Sequence, residues 1–552
     1  MEEPLLKNSG SEILLGNEAI IRGALEAGVN FVSTYPGTPA SEIGNVFYKI
    51  AKDAGVYFEF STNEKVALEA SIGASFSGLK TLVAMKNFGL NVALDALFPF
   101  VYTGSKGASV IVCADDPSCH SSAQSEENSR GIALSTHIPI LEPSDPQECK
   151  DFVKLGYEIS EKFQIPVMVR IVTRVAHQKQ KVILGKIKKS FPKAEFIKDR
   201  NKFVTLPPRV LEMKSELLEK IEKIREFSEK SEINKEQKIK TNKIGIITSG
   251  ISHLNTMEAL RKLGIELSVL KLGFFHPLPK NKIKNFIKPL RKVLIVEELE
   301  PFLEKEIEGL AKEVNCELEI MGKNLLPEVG ELVPEVVAQA VAKITGEKAK
   351  EMPKPTKSLK RLPQLCPGCP YWLVISAIKK ALQVESSEST KNVVFGGEIG
   401  CYMLFGNPPV DLQDYLSCMG SSVGIAHGIK KALHFGSNSE QKLITFVGDS
   451  SFFHSGIPPL INAVFNKSNP LIIILNNGTT AMTGQQPHPA AINMENSLDI
   501  EKIVRACGVK HVKTLDPQNQ EEFIETLKEF LEKDEVSVII SKHPCKFVIP
   551  KK

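Results

Sequence analysis

At 552 residues the chain is too long for a single hydrophobic core, and length alone calls for three or four domains. An apolar content of 42% and a charged content of 24% are those of an ordinary soluble protein, and no apolar run approaches the roughly 20 residues that span a bilayer. The net charge is only +4, and much of the lysine falls between Lys179 and Lys243 with few aromatic residues among it, which speaks against nucleic-acid binding.

The N-terminus, MEEPLLKNSG, lacks a basic segment followed by an apolar one, so secretion is not expected and a cytoplasmic location is. Ten cysteines in a reducing compartment then read as core thiols, catalytic groups or metal ligands rather than disulfides.

In chain order, a helix is expected over residues 17–27, closed by Gly28, then a short strand over 30–34 that runs into Tyr35-Pro36-Gly37-Thr38-Pro39. Two prolines and a glycine cannot continue a strand, so this is a rigid loop at a strand's carboxyl end, where α/β folds carry sites. A strand over 57–61 follows, then a helix over 63–74 whose small residues imply close packing against a neighbour. Strands over 80–85, 108–113 and 166–171, a helix from Gly89 and the polar loop 115–121 complete a unit that closes near residue 178. Strands alternating with helices at this spacing predict a doubly wound parallel sheet for residues 1–178.

Residues 179–241 read as an extension and a Lys- and Glu-rich helix over 208–232, whose i,i+4 opposite charges favour a solvated helix. A smaller α/β domain is expected over 242–345, with strands at 243–249, 267–270 and 293–297 and a closing helix at 333–343. The Pro- and Lys-rich stretch 346–360 is an exposed tether, and 361–552 is the last domain. No short internal repeat is visible.

The last domain contains the stretch around which the chain is organised, residues 443–485. Two short apolar runs, 443–447 and 471–475, read as buried parallel strands, and 456–466 has the length of a crossover helix. A right-handed crossover brings Asp449 and Asn477 out at one carboxyl edge. With the backbone carbonyl of Thr479 they form a hard-oxygen set of the kind Mg²⁺ accepts when a diphosphate completes its shell, and Gly448 allows close backbone approach. An ordinary strand, turn and Asx-rich loop is the plain alternative.

Gly448-Asp449-Ser450, then 25 residues, then Asn476-Asn477 resembles the diphosphate signature of thiamine diphosphate (ThDP) enzymes. YPGTPASEI (35–43), NEKVALEASIGAS (63–75), LCPGCP (365–370), GEIGCY (397–402) and NNGTTAMTG (476–484) resemble the 2-oxoacid:ferredoxin oxidoreductase family, and within it the large (α) subunits of indolepyruvate ferredoxin oxidoreductases, over nearly the whole chain. The resemblance implies an α/β protein with two ThDP-type doubly wound parallel-sheet domains, pyrimidine-binding (1–178) and diphosphate-binding (361–552), and an intervening smaller α/β domain of transketolase C-terminal type (242–345).

It also implies oxidative decarboxylation of aryl 2-oxoacids with CoA to acyl-CoA and CO₂. Glu64 would be the acid that protonates the cofactor's aminopyrimidine, a proton that a buried carboxyl can share; a helix N-terminal acid is its plain reading. Thr38 would contact substrate, or simply serve as a helix cap. His454 and His488 flank the metal motif, with a substrate or cofactor role. Cofactor contacts are implied for Tyr35, Pro36, Gly37, Gly400, Cys401, Gly420, Gly448, Ser450 and Asn476, and Mg²⁺ ligands for Asp449, Asn477 and Thr479.

Cys366, Cys369, Cys401 and Cys545 match positions that hold one [4Fe–4S] cluster in pyruvate-oxidising members. A four-Cys Zn²⁺ site and scattered core thiols remain alternatives. The family implies a small β subunit facing CoA, an α2β2-type hetero-oligomer, and ferredoxin or another electron-carrying subunit. Its α subunits continue into a ferredoxin-like domain with two Cys-x-x-Cys-x-x-Cys-x-x-x-Cys-Pro runs. This sequence stops at Lys552 without them, so the long electron path is expected to be missing. That leaves open a non-oxidative ThDP decarboxylase or carboligase, or a ThDP-binding subunit without catalysis.

Overall fold

The computed structural model describes residues 4–189, 193–239, 243–347, 361–383, 392–436, 441–492 and 494–548. Most of the expected tether at 346–360 lies outside the described residues. The chain forms two compact units, Met1–Lys354 and Pro355–Lys552.

In the first unit six parallel strands lie in the order Tyr57–Phe60, Phe31–Thr34, Thr81–Lys86, Ser109–Asp115, Val167–Val172, Ile140–Leu141. Both faces are covered, which is why the strands read as continuous apolar runs: Val83 and Met85 point into one core, Leu82 and Ala84 into the other. The strand order reverses between Phe31–Thr34 and Thr81–Lys86, whose carboxyl ends therefore flank the ligand crevice typical of open α/β sheets.

Three features differ from the expected elements. The strand Lys179–Leu184 folds back on Gly10–Leu15 as an antiparallel ribbon. The short strand Phe274–His276, far along the chain, pairs antiparallel with Ile140–Leu141 as a seventh strand of the first sheet. The helix Arg209–Lys230 is not solvated all round: Met213, Leu217, Ile221, Ile224 and Ser228 form a buried face. That stripe keeps helical spacing, but the Lys and Glu residues between its members mask it in the sequence.

A second sheet of the same unit has the order Glu319–Met321, Lys292–Val296, Ile244–Ser249, Ser268–Leu272, Lys235–Gln237, parallel except for the last pair. Residues of both sheets, such as Leu141 and Leu270, share one core.

The second unit is a six-stranded all-parallel sheet in the order Tyr415–Leu416, Val393–Gly397, Lys442–Gly448, Leu471–Asn476, Ser537–Lys542, His511–Leu515. Numbered along the chain within each sheet, the six parallel strands of both units follow one order, 2-1-3-4-6-5. The repetition is of topology, with no repeat visible in the sequence. The α/β class with doubly wound parallel sheets is borne out. Among the described residues no helix is long and apolar enough to cross a membrane.

Candidate active site

In the second unit the strand order reverses between Val393–Gly397 and Lys442–Gly448, and the residues that leave those strands are Glu398 and Asp449. Gly448 pairs with Leu475, so Asp449 and Asn477 emerge side by side from adjacent strands. Asp449 is buried; its Oδ1 accepts the Ser450 N–H at 2.8 Å and its Oδ2 the Gly478 N–H at 2.7 Å, with His488 Nε2 at 3.2 Å. Asn477 donates through Nδ2 to the Tyr371 hydroxyl (2.7 Å) and accepts the Thr479 N–H at Oδ1 (3.0 Å). The Thr480 and Ser450 hydroxyls lie 3.1 Å apart and tie the two loops together. A carboxylate and an amide oxygen thus stand at neighbouring strand ends, and as oxygen donors they fit a diphosphate-bound Mg²⁺.

Past Asp449 the helical run changes hydrogen-bonding pattern: Phe452–Gly456 is a π-helical turn before the regular helix Ile457–Phe465. Such turns concentrate at functional sites. His454 is buried within this one, with Nδ1 at 2.6 Å from the Ser455 hydroxyl. Gly420, at φ +76°, comes so close to the backbone of Ser455 that a Cβ there would lie 2.5 Å from its carbonyl carbon.

The sequence reading overlooked Glu398. It is fully buried, accepts the Tyr402 hydroxyl (2.5 Å) and also the Gly420 N–H, and its pKa is pushed up to about 8, chiefly by burial. The available signal was an acid set among glycines, Gly396-Gly397-Glu398-Ile399-Gly400, at a strand's end. The ring of Tyr402 covers Gly448, where a Cβ would lie 2.9 Å from it.

In the unfolded chain Glu398 ionises near 4.5 and in the folded chain near 8, so stability falls as pH rises between those values. Glu398→Gln should flatten that fall by a few kcal/mol, measured as urea midpoints at pH 5 and pH 8.5.

Cys366, Cys369, Cys401 and Cys545 line one cavity of about 250 Å³, together with Tyr371 and Asn477. The Cys545 N–H donates to the Asn477 carbonyl (3.0 Å), so the cysteine cavity and the Asp449 turn share a residue. Burial, and then the neighbouring thiols, push Cys369 up to about 11 and Cys401 up to about 12. The donor set and the shared cavity fit a four-thiolate cluster. The sulfurs do not converge, however: among the described residues no three His, Cys, Asp or Glu side chains are placed to hold a metal ion.

In the first unit the loop that carries Tyr35, Pro36, Gly37 and Thr38 leaves Phe31–Thr34 at the crevice. The Asn17 amide donates to the Pro39 carbonyl (2.7 Å) and fixes the loop. The Thr38 hydroxyl lies 3.2 Å from that of Ser41, and the following helix, Ser41–Ala54, has no side-chain N-cap. Glu64 is the first residue of the helix Glu64–Phe76, whose N-cap is Asn63, and is buried against Gly89, where a Cβ would meet Glu64 Cγ at 2.5 Å. Across the crevice Lys86 donates to the Ser121 carbonyl (2.9 Å), and burial pushes its pKa down to about 8.

Three protein families match parts of the chain: pyruvate flavodoxin/ferredoxin oxidoreductase, thiamine diphosphate-binding, over residues 22–244; indolepyruvate oxidoreductase domain over 235–365; and thiamine pyrophosphate enzyme, C-terminal TPP-binding domain, over 398–541. The indolepyruvate oxidoreductase subunit IorA of Methanothermobacter thermautotrophicus is 41% identical, over 99% of this chain and 88% of its own. That of Pyrococcus horikoshii is 40% identical, over 97% and 85%. The 2-oxoglutarate synthase subunit KorA of Methanocaldococcus jannaschii is 29% identical over 31% of this chain and 49% of its own. Among solved structures, the 2-oxoglutarate:ferredoxin oxidoreductase of Magnetococcus marinus, solved with 2-oxoglutarate, coenzyme A and succinyl-CoA, shares the fold at a TM-score of 0.50 and 17% identity, covering 61% of this chain and 65% of its own. With identity of this level along almost its entire length, and ThDP-binding families matching both units, the chain belongs to the indolepyruvate oxidoreductase branch of the ThDP-dependent 2-oxoacid:ferredoxin oxidoreductases.

Proposed function

We propose that the chain is the large subunit of an enzyme that decarboxylates aryl 2-oxoacids of the indolepyruvate kind, oxidises the product with CoA to an acyl-CoA, and passes electrons through a [4Fe–4S] cluster to ferredoxin. The observation that carries this reading is the four-cysteine cavity sharing Asn477 with the Asp449 turn. A redox group held there would lie next to the diphosphate end of the cofactor. Bound ThDP would supply a nucleophilic carbon and an electron sink for decarboxylation.

The chain's own residues do the rest in this proposal. Asp449, Asn477 and the Thr479 carbonyl hold Mg²⁺. Gly448, Ser450, Asn476, Gly400, Cys401 and Gly420 contact the cofactor's diphosphate side, and Tyr35, Pro36 and Gly37 are the proposed contacts for a pyrimidine ring. Glu64 holds the proton that activates the aminopyrimidine, Thr38 donates to substrate, and His454 faces the reacting end. The thiolates of Cys366, Cys369, Cys401 and Cys545 hold the cluster. The proposed domains are 1–178, 242–345 and 361–552, joined by 179–241 and 346–360. The partners are a small β subunit in an α2β2-type assembly and a ferredoxin or electron-carrying subunit, in the cytoplasm. The names of the IorA relatives describe subunits, which supports the partner proposal.

The deciding measurement is iron and sulfide content after anaerobic purification, with an electron paramagnetic resonance spectrum after adding arylpyruvate. The expected result is about four of each per chain and a substrate-dependent signal. Iron-free, colourless protein that still releases CO₂ would establish the non-oxidative decarboxylase or carboligase instead. Cys366→Ala should abolish the cluster's visible absorbance and leave ThDP binding within about threefold, since that thiol is one of four ligands and lies on the cavity's exposed side. Full iron content in this variant would remove Cys366 from the ligand set.

A further inference from the structure

In the first sheet the reversal of strand order sets the carboxyl ends of Phe31–Thr34 and Thr81–Lys86 on either side of one crevice. The first strand continues into the Thr38 loop, and the second ends in Lys86. The two are in contact: a Cβ on Gly37 would lie 3.0 Å from Lys86 Cβ. The Lys86 ammonium donates to the Ser121 carbonyl, and the Ser121 hydroxyl donates to the Thr38 carbonyl at 3.2 Å. Three residues beyond Lys86, Gly89 carries the side chain of Glu64 against it. The lysine therefore lies against the Thr38 loop, and its amine is linked to that loop through Ser121.

Among the described residues the amine's ion-pair partner is Asp116, whose Oδ2 stands 3.8 Å away. Asp116 is already supplied by the Ser121 N–H, the Ser121 and Ser122 hydroxyls and the Thr173 hydroxyl. Burial favours the neutral amine and the Asp116 carboxylate offsets this only in part, so Lys86 sits at about 8. An incoming carboxylate could approach the amine more closely than Asp116 does.

We propose that Lys86 receives the carboxylate of the 2-oxoacid and so selects 2-oxoacids over neutral carbonyl compounds. This rests on the reading under Proposed function. The test compares the α and β subunits expressed together, with ThDP, Mg²⁺, CoA and methyl viologen as one-electron acceptor, on an arylpyruvate and on the arylacetaldehyde one CO₂ smaller. Two viologens oxidise the aldehyde to the same acyl-CoA, but it presents no carboxylate. Lys86→Met and Lys86→Gln should raise KM for the arylpyruvate by ~10–100-fold while KM for the aldehyde stays within about threefold. A residue that merely fastened the 116–122 loop would impair both substrates alike, and that outcome, or an unchanged arylpyruvate KM, overturns the proposal.

Should both variants misfold, inhibition of the wild-type enzyme decides. The arylacetate anion is expected to bind at least ~10-fold more tightly than the neutral arylacetamide, and equal binding overturns the assignment. Wild-type protein that releases no CO₂ from any arylpyruvate would instead overturn the functional reading on which the proposal rests.

Discussion

Glu64→Gln should lower kcat for arylpyruvate decarboxylation by ~10²–10⁴-fold, the range over which a positioned acid or base contributes to catalysis. The substitution keeps the size of the side chain and one acceptor oxygen but replaces the ionisable oxygen with an amide nitrogen, so ThDP binding and thermal stability should stay near wild type while the transferable acid proton is lost. Stopped-flow measurement of CO₂ release, with cofactor affinity by calorimetry alongside, separates the two effects. Gly89→Ala offers an independent route to the same site. The added methyl would overlap Glu64 at Cγ and Oε1, so the carboxyl must swing away while remaining chemically intact. A loss of turnover in Gly89→Ala comparable to that in Glu64→Gln, with the fold retained, would mean that the position of the acid matters as much as its presence. Undiminished turnover in Glu64→Gln would exclude Glu64 as the activating acid.

Asp449→Ala should weaken Mg²⁺-dependent ThDP binding by more than ~100-fold, because it removes the one carboxylate of the proposed metal set. It should also destabilise the second unit by about 1–3 kcal/mol, since the Gly478 N–H is left without its buried acceptor. Asp449→Asn distinguishes these contributions. The amide oxygen can still accept from Gly478, so most of the stability should return, whereas the charge that attracts the cation does not. Calorimetric titration of ThDP at fixed Mg²⁺ measures the first effect and urea unfolding the second. Unchanged affinity in Asp449→Ala would end the metal assignment.

Five strands of the first sheet and the central strands of the last were legible because buried parallel strands are uninterrupted apolar runs and the loops that follow them are rich in Pro, Gly, Asp and Asn; Ile140–Leu141, Tyr415–Leu416, His511–Leu515 and Ser537–Lys542 were not expected. The Asp449 and Asn477 turns could be paired from sequence, since one crossover helix separates two strands that end at one edge. Partnerships formed across long stretches of chain were not legible. Nothing local in Phe274–His276 indicates that it completes a sheet begun more than 240 residues earlier. The buried stripe of Arg209–Lys230 is hidden because most of the residues between its members are charged. Glu398 was missed because an acid between glycines suits an exposed turn equally well, and only the strand order places it in a crevice. Lys86 was overlooked for a similar reason: a lysine closing an apolar strand resembles an ordinary boundary residue until the reversal of order sets it against Gly37.

The π-helical turn Phe452–Gly456 has a bearing on how this site can vary. A turn closed by i→i+5 bonds accommodates one residue more than the α-helix around it. The helix Ile457–Phe465 is anchored in the core by Leu460 and Ala463, and the turn absorbs the surplus residue so that the segments on either side keep their angular phase. Loss of one residue between 452 and 456 would let the segment rewind as regular helix with Asp449, Ser450 and Ser451 still facing as they do. Loss of one residue from the regular helix, between 457 and 460, would instead turn them by about 100° against the core. The π turn is therefore the one stretch of this helical run where a change of length spares the carboxylate.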